Sequence, residues 1–314
     1  MHFPVSGVEV FPLVPPLAAF IISFFASMGG ISGAFFLLPF QMSVLGYTQP
    51  SVSSTNQFFN VVAIPSGVYR YIKEKRMVWP LTAVVAAGTL PGVFIGAIVR
   101  VVWLPDPRYF KLFAAAVLLY IGGRLFCELL KTGYASKVAS KPHDEPRGIV
   151  NAASGQDFAV EVKEFSRKNI LYIFQGETHR APTMGIFMMS FIVGIVGGAY
   201  GIGGGAIIAP FLVSCYRLPV HTISGATLMG TFLTSVAGVA FYVFMAPLFP
   251  GKSVAPDWVL GLFFGLGGMA GMYLGARCQK FVPARAIKWM LGLIILGVAC
   301  KYVLEFFGQK TVPI

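Results

Sequence analysis

A chain of 314 residues that is 56% apolar and only 11% charged, with mean hydropathy +0.75, lies far outside the range of soluble domains. It is predicted to be an all-α polytopic membrane protein whose surroundings are the lipid bilayer. The 24 Lys and Arg outweigh the 12 Asp and Glu by +12, but they sit at span ends and in one central loop, so topology and anionic headgroups account for them without nucleic acid.

The amino-terminal residues resemble a signal peptide in length, yet they lack a basic n-region and carry Glu9. Because the segment after them matches an internal one, it is expected to be kept as structure. Apolar stretches long enough to cross a hydrocarbon core run approximately 12–46, 48–69, 77–101, 109–130, 182–216, 219–247, 257–277 and 286–307, four in each half. The first, Pro12 to Gly46, would reach about 52 Å as one helix. It is predicted to break at Met28-Gly29-Gly30.

The second segment opens with the polar run Pro50-Ser51-Val52-Ser53-Ser54-Thr55-Asn56-Gln57 and ends in Arg70, Lys73, Glu74, Lys75 and Arg76. The third carries Gly88, Pro91-Gly92, Gly96 and Ala97, and its partner carries Gly267, Ala270-Gly271, Gly275 and Ala276, a spacing by four that lets helix backbones approach closely. Segments four and eight align at an offset of 177, placing Arg108, Lys111, Arg124 and Glu128 on Arg285, Lys288, Lys301 and Glu305. A basic residue four before a glutamate predicts an ion pair near each helix end.

Between the halves, residues 132–181 form the single soluble piece of any size, predicted to lie in the cytoplasm. Phe158, Val160 and Val162 alternate with Asp157, Ala159 and Glu161, and Ile170, Tyr172 and Phe174 likewise recur at every second position, which predicts a small β-hairpin. The domains are therefore a first membrane repeat over 1–131, this loop, and a second membrane repeat over 182–314. Cys127, Cys215, Cys278 and Cys300 lie in or beside apolar segments with no CxxC and no nearby His, so they read as small apolar fillers, and no metal or cofactor is predicted.

Both halves begin with a glycine-rich break. Gly197 to Phe211, GGAYGIGGGAIIAPF, holds six glycines and a proline inside the apolar run Pro182 to Tyr216. A degenerate copy lies 171 residues earlier at Ala26 to Phe40, ASMGGISGAFFLLPF, where Gly30, Gly33, Pro39 and Phe40 fall on Gly201, Gly204, Pro210 and Phe211. Ser32 and Ala34 stand where the second copy has Gly203 and Gly205.

Charge decides how the copies face. If each first run crosses once, the halves are parallel, and seven flanking Lys/Arg fall inside against eight outside; if each run is a hairpin that returns, the second half is inverted and the count becomes nine inside and six outside. Two inverted repeats of four hydrophobic segments are expected, the first segment of each a glycine-broken helix or helical hairpin.

Unwound backbone inside a bilayer is tolerated only where protein or a polar cavity satisfies it. A break that restarts a helix also offers free N–H groups and a positive dipole end, which favours a small anion. Gly29, Gly30, Ser32 and Gly33 from one half, with Gly201, Gly203, Gly204 and Gly205 from the other, are the candidate backbone donors. Ser53, Thr55, Asn56 and Gln57, with Ser224, Gly225 and Thr227, are expected to line the cavity from the second segment of each half. No Asp or Glu is read inside a span except Glu128 and Glu305 near their ends, so no buried carboxylate relay is visible.

The duplicated GxGGG-x4-P element, the four segments per half and the polar opening of the next helix resemble the TauE/SafE family of sulfite exporters, over nearly the whole chain except the central loop. The resemblance implies a cell-membrane permease for small sulfur oxyanions such as sulfite or organosulfonates, usually working outward. Two other classes stay open at this point. A non-transporting membrane scaffold or assembly factor would need only the packing, and Gly30-Ile31-Ser32-Gly33 matches the GxSG of intramembrane serine proteases, for which His221 is the one histidine near a span.

Overall fold

Proline and glycine set the ends of the helices. In the computed structural model, which describes residues 1–28, 32–73, 75–138, 160–278 and 284–308, α1 (Val14–Met28) and α2 (Ala34–Ser43) flank the first break, whose Gly29, Gly30 and Ile31 lie outside the described residues. The second predicted segment is two helices, α3 (Ser51–Ala63) and α4 (Pro65–Lys73), because Pro65 has no N–H with which to continue the ladder. α5 (Trp79–Val102) and α6 (Pro107–Val138) complete the first half. The second half has α7 (Thr183–Tyr200), α8 (Gly204–Tyr216), α9 (Val220–Met245), α10 (Trp258–Cys278) and α11 (Ala284–Gly308).

Among the described residues four helices are long and apolar enough to cross a membrane, Trp79–Val102, Thr183–Tyr200, Thr222–Leu248 and Trp258–Gly275, while Val14–Ser27 and Ala34–Ser43 are shorter apolar helices. The usual distribution of polarity is reversed. Leu17, Ile192, Phe244 and Leu304 are exposed, whereas Ser53, Thr55, Asn56, Gln57, Asn60, Thr234 and Ser235 are fully buried. Such a surface is at home in lipid, not in water.

The halves interlock. α1 packs on α10 and α7 on α5, so the first helix of each half lies against the third segment of the other; α6 pairs with α11 and α3 with α9. Glycines make the two closest seams. A Cβ at Gly88, Gly92 or Gly96 would run into the carbonyl oxygens of Phe187, Phe191 and Ile195, and one at Gly267, Gly271 or Gly275 into those of Pro16, Phe20 and Phe24.

These contacts also give direction. α5 and α7 advance together, as do α1 and α10. α3 advances with α10, since Gly261 meets Phe58 and Gly265 meets Val62, but it opposes α9, since Gly238 meets Gln57 and Asn60 Nδ2 reaches Ser235 Oγ at 3.4 Å. α1 and α3 therefore point the same way, and α2 must return between them.

The element ends gather at two opposite faces. At one, the β1–β2 ribbon (His2–Phe3, Val8–Glu9) is tied down by the Ser6 hydroxyl donating to Asp257 Oδ2 at 2.8 Å, and Ser253 Oγ donates to the Val5 carbonyl at 3.1 Å. At the other, residues 161–182 form a three-stranded antiparallel sheet, β3 (Glu161–Phe165), β4 (Asn169–Phe174) and β5 (Glu177–Pro182), with β4 central. The alternation of Ile170, Tyr172 and Phe174 is visible as buried positions, but β5, Glu-Thr-His-Arg-Ala-Pro, is too polar to show one. Val160 N donates to the Lys75 carbonyl, and the Tyr172 and Thr222 hydroxyls share a 2.9 Å bond, docking the sheet on the helices. Burial raises the Tyr172 pKa against the lowering effect of that bond, so the phenol stays neutral.

The predicted ion pairs near the helix ends take a wider form: Glu305 meets Lys301 at 3.7 Å and Lys111 across the α6–α11 seam at 2.7 Å. The Arg124 and Glu128 side chains lie outside the described residues.

Gly92→Val is predicted to destabilise the fold by about 1–3 kcal/mol through overpacking, because its Cβ would lie 2.9 Å from Gly194 Cα. Gly297→Ala, where nothing lies within 4 Å, should instead match or slightly exceed the parent. Thermal unfolding in detergent, followed by size-exclusion chromatography, reads both.

Candidate functional site

α7 ends because Gly201 takes the left-handed conformation, φ 86°, and three successive N–H groups, of Gly201, Ile202 and Gly203, converge on the Gly197 carbonyl at 2.9–3.3 Å. Gly203, φ 76°, then turns the chain, and α8 starts at Gly204 with no side chain capping its N-terminus. α8 runs back along α7: a Cβ on Gly204 would lie 3.1 Å from Gly194 Cα, and one on Gly185 would meet the Tyr216 hydroxyl at 2.7 Å. The second break is thus the bend of a helical hairpin.

The described backbone resumes at Ser32, whose Oγ accepts from Ala34 N at 3.3 Å, while the N-cap of α2, Gly33, brings no side-chain cap. Gly33 sits against Ser23, and a Cβ there would come 2.5 Å from Ser23 Oγ. Ser32, where the second break has Gly203, therefore offers the first turn of α2 a hydroxyl acceptor from the preceding loop.

Two asparagines on α3 join the breaks. Asn56 Nδ2 donates to the Ala34 carbonyl at 3.0 Å and to the Gly201 carbonyl at 3.1 Å, while its Oδ1 accepts from Gln41 Nε2 at 3.3 Å. One turn on, Asn60 Nδ2 donates to the Ile202 carbonyl at 2.8 Å and its Oδ1 accepts from Ser32 Oγ at 3.2 Å. Ser53, a turn earlier, donates to the Ala199 carbonyl at 2.9 Å. Tyr200 closes the contact by donating to the Phe35 carbonyl at 3.1 Å. Every one of these groups is buried, so each bond replaces one that water would otherwise make.

The remaining candidates fall into two sets. Gly203 and Gly205 abut α9 at Thr231 and Ser235, with Gly205 also against the Thr227 carbonyl, and Gly204 abuts Thr89. Thr227 spends its own hydroxyl on the Ser224 carbonyl, 3.2 Å away. Ser224 and Gly225 sit near the start of α9, where Gly225 faces Tyr71 and Met77, away from the bend. Thr55 faces the amino-terminal side, bonded to the Tyr47 hydroxyl at 3.0 Å and accepting from Asp257 N at 2.9 Å. Gln57 lies at the seam with Gly238, and neither amide atom of this fully buried side chain has a hydrogen-bond partner.

Sequence reading missed Asn60, Gln41, Thr231 and Ser235. The signal was present: Ser53, Asn56, Gln57 and Asn60 recur at helical spacing, whereas the expected lining stops at Gln57 and includes Thr55, which is off that face. It also passed over Asp257, the first residue of the seventh segment, and took Arg100 for a flanking charge. Among the described residues these two are the fully buried charged side chains, Arg100 at 0% and Asp257 at 1% exposure. Asp257 accepts from Ser6 N, Ser6 Oγ and Leu260 N, an N-cap for α10 that also holds the amino-terminal ribbon.

Asn60→Ala should cost about 1–3 kcal/mol, because it leaves the Ile202 carbonyl buried and unpaired, and Asn60→Asp should be at least as harmful, since it removes the donor at the same volume. Thermal unfolding of the purified variants in detergent measures both.

The model of the family described as Sulfite exporter TauE/SafE matches residues 16–302. "Probable membrane transporter protein YunE" of Bacillus subtilis (strain 168) is 23% identical over 288 residues, covering 89% of this chain and 92% of that protein. A "Probable membrane transporter protein" of Xylella fastidiosa (strain 9a5c) is 23% identical over 290 residues, covering 89% and 90%. "Probable membrane transporter protein YdhB" of Bacillus subtilis (strain 168) is 26% identical over 125 residues, covering 40% and 48%. No solved structure matches the chain. With the family model spanning both breaks and nearly every helix, the chain belongs to the Sulfite exporter TauE/SafE family and is a multi-pass transporter of the cell membrane rather than an enzyme.

Proposed function

We propose that this chain is a secondary transporter that exports a small anion, sulfite or an organosulfonate, through a site built between its two glycine breaks. The observation that carries the reading is the pair Asn56 and Asn60, each of which touches both breaks inside the buried core. The uncapped N-terminus of α8 directs N–H groups and a positive dipole end into that region, a setting that favours negative charge without a full counter-ion. The idle amide of Gln57 and the idle Ser23 hydroxyl add donors that an oxyanion would use. The proposed ligands are Ser32, Gly33, Asn56, Gln57, Gly201, Gly203, Gly204 and Gly205, with Gly29 and Gly30 from the other side of the first break; Thr55, Ser224, Gly225 and Thr227 flank the path. The sulfur oxyanion itself rests on the family's description.

The two membrane repeats, 1–131 and 182–314, are proposed to be inverted, with both termini outside and residues 132–181 in the cytoplasm. The parallel course of α1 and α3, the opposed course of α3 and α9, and the returning α7–α8 hairpin support this, as does the excess of flanking Lys and Arg on the sheet-bearing face. Outward movement of one negative charge then gains about 2.3 kcal/mol per 100 mV of inside-negative potential, enough to drive export without a carboxylate relay.

In proteoliposomes, labelled sulfite or ethanesulfonate should move in response to an imposed potential; absence of flux for sulfite, sulfonate and sulfate, with and without potential or pH gradients, would overturn the reading. Ser32→Ala should slow that flux about fivefold, the scale of one lost buried hydrogen bond, whereas Gly204→Val, which drives a branched side chain into Thr89, should abolish it. For topology, single cysteines at Lys75 and Gly251 should label from the cytoplasmic and outer sides respectively with a membrane-impermeant maleimide. Labelling of both from one side would rule out the inverted arrangement.

A further inference from the structure

Arg100 stands in the last turn of α5 and is fully buried, yet among the described residues it makes no ion pair with a carboxylate. Its three described hydrogen bonds all go to neutral oxygens: Nε to Ser53 Oγ at 3.3 Å, Nη2 to the Thr48 carbonyl at 3.0 Å, and Nη1 to the Leu104 carbonyl. The face of Phe110 covers the guanidinium at 3.7 Å. The buried carboxylate on the same side, Asp257, is engaged with Ser6 and the Leu260 N–H. A guanidinium offers five N–H donors, so two remain beyond these bonds. A buried cation held only by carbonyls, a hydroxyl and a ring is costly unless an anion visits it.

Its position names the visitor. Ser53 Oγ accepts from Arg100 and donates to the Ala199 carbonyl, two residues before Gly201, so Arg100 heads the same α3 face that carries Asn56 and Asn60. A planar fork of N–H groups matches two oxygens of an oxyanion. We propose that Arg100 is the outer binding station of the anion path, taking the oxyanion as it leaves the glycine breaks, in place of the Thr48 and Leu104 carbonyls. Those carbonyls belong to the loops after α2 and α5, so the exchange frees both loops and opens the outer face. This inference rests on the transport reading above and adds to it a charged residue and a gate.

The test is sulfite uptake into proteoliposomes, with the external half-saturating concentration and the maximal rate resolved for wild type, Arg100→Lys and Arg100→Gln. Removing a charged hydrogen-bonding partner should raise the half-saturating concentration of R100Q about tenfold or more, while R100K, which keeps the charge but loses the fork, lies between. A residue that only latches loops would lower the maximal rate with the amount of folded protein and leave half-saturation unchanged, and that result in R100Q overturns the proposal. If R100Q does not assemble, R100K decides alone: half-saturation equal to wild type overturns it, and an increase of about threefold or more supports it. A wild type that moves no sulfite would instead be a failure of the transport reading itself.

Discussion

The hydrogen bonds from α3 to the backbone of the second break are what the rest of the structure depends on. A bend in a membrane helix strands carbonyls where no water can reach them, and each stranded group costs several kcal/mol. Ser53, Asn56 and Asn60 answer the carbonyls of Ala199, Gly201 and Ile202 in turn, one helical step per residue. Because Asn56 also holds Ala34 and Asn60 meets Ser32, the same two side chains that permit one bend locate the other. The polar stripe that makes α3 a poor lipid-facing helix makes it a good spine.

Positive character accumulates along that spine from different sources. The restart of α8 contributes peptide dipoles, and Arg100 contributes a full charge where α3 begins. Among the described residues, no carboxylate hydrogen-bonds to Arg100 or caps α8. On the transport reading proposed above, an anion on this path would meet attraction spread over several groups, which would keep any one station weak enough to leave.

Much of this was legible in the sequence, for definite reasons. Glycine runs inside long apolar stretches mark bends because no other residue takes φ 86° or 76° without strain, as Gly201 and Gly203 do. Small residues spaced by four mark seams, and Gly88, Gly92 and Gly96 make one. What stayed hidden depended on partners far along the chain. Arg100 near a helix end reads as a residue reaching for headgroups, and only the loops at Thr48 and Leu104 turn it inward. Ser224 and Gly225 are expected at the cavity with Thr227, but α9 meets the bend through Thr227, Thr231 and Ser235, further along the helix. The strand β5 has no apolar alternation because it docks by backbone pairing to β4 and not by a buried face.

The exchange of first helices between the halves has a consequence for biosynthesis. The partner of α1, which begins at Val14, is α10, which begins at Trp258, so 258 − 14 = 244 residues separate them. At roughly 5–20 residues per second, α1 waits on the order of 12–50 s before the glycine seam that will hold it exists. During that interval α1 has α2 beside it but not the helix that finally covers its length, and the first half is a set of inserted helices without its final mate. Neither half is an independent folding unit: the last third of the chain completes the first.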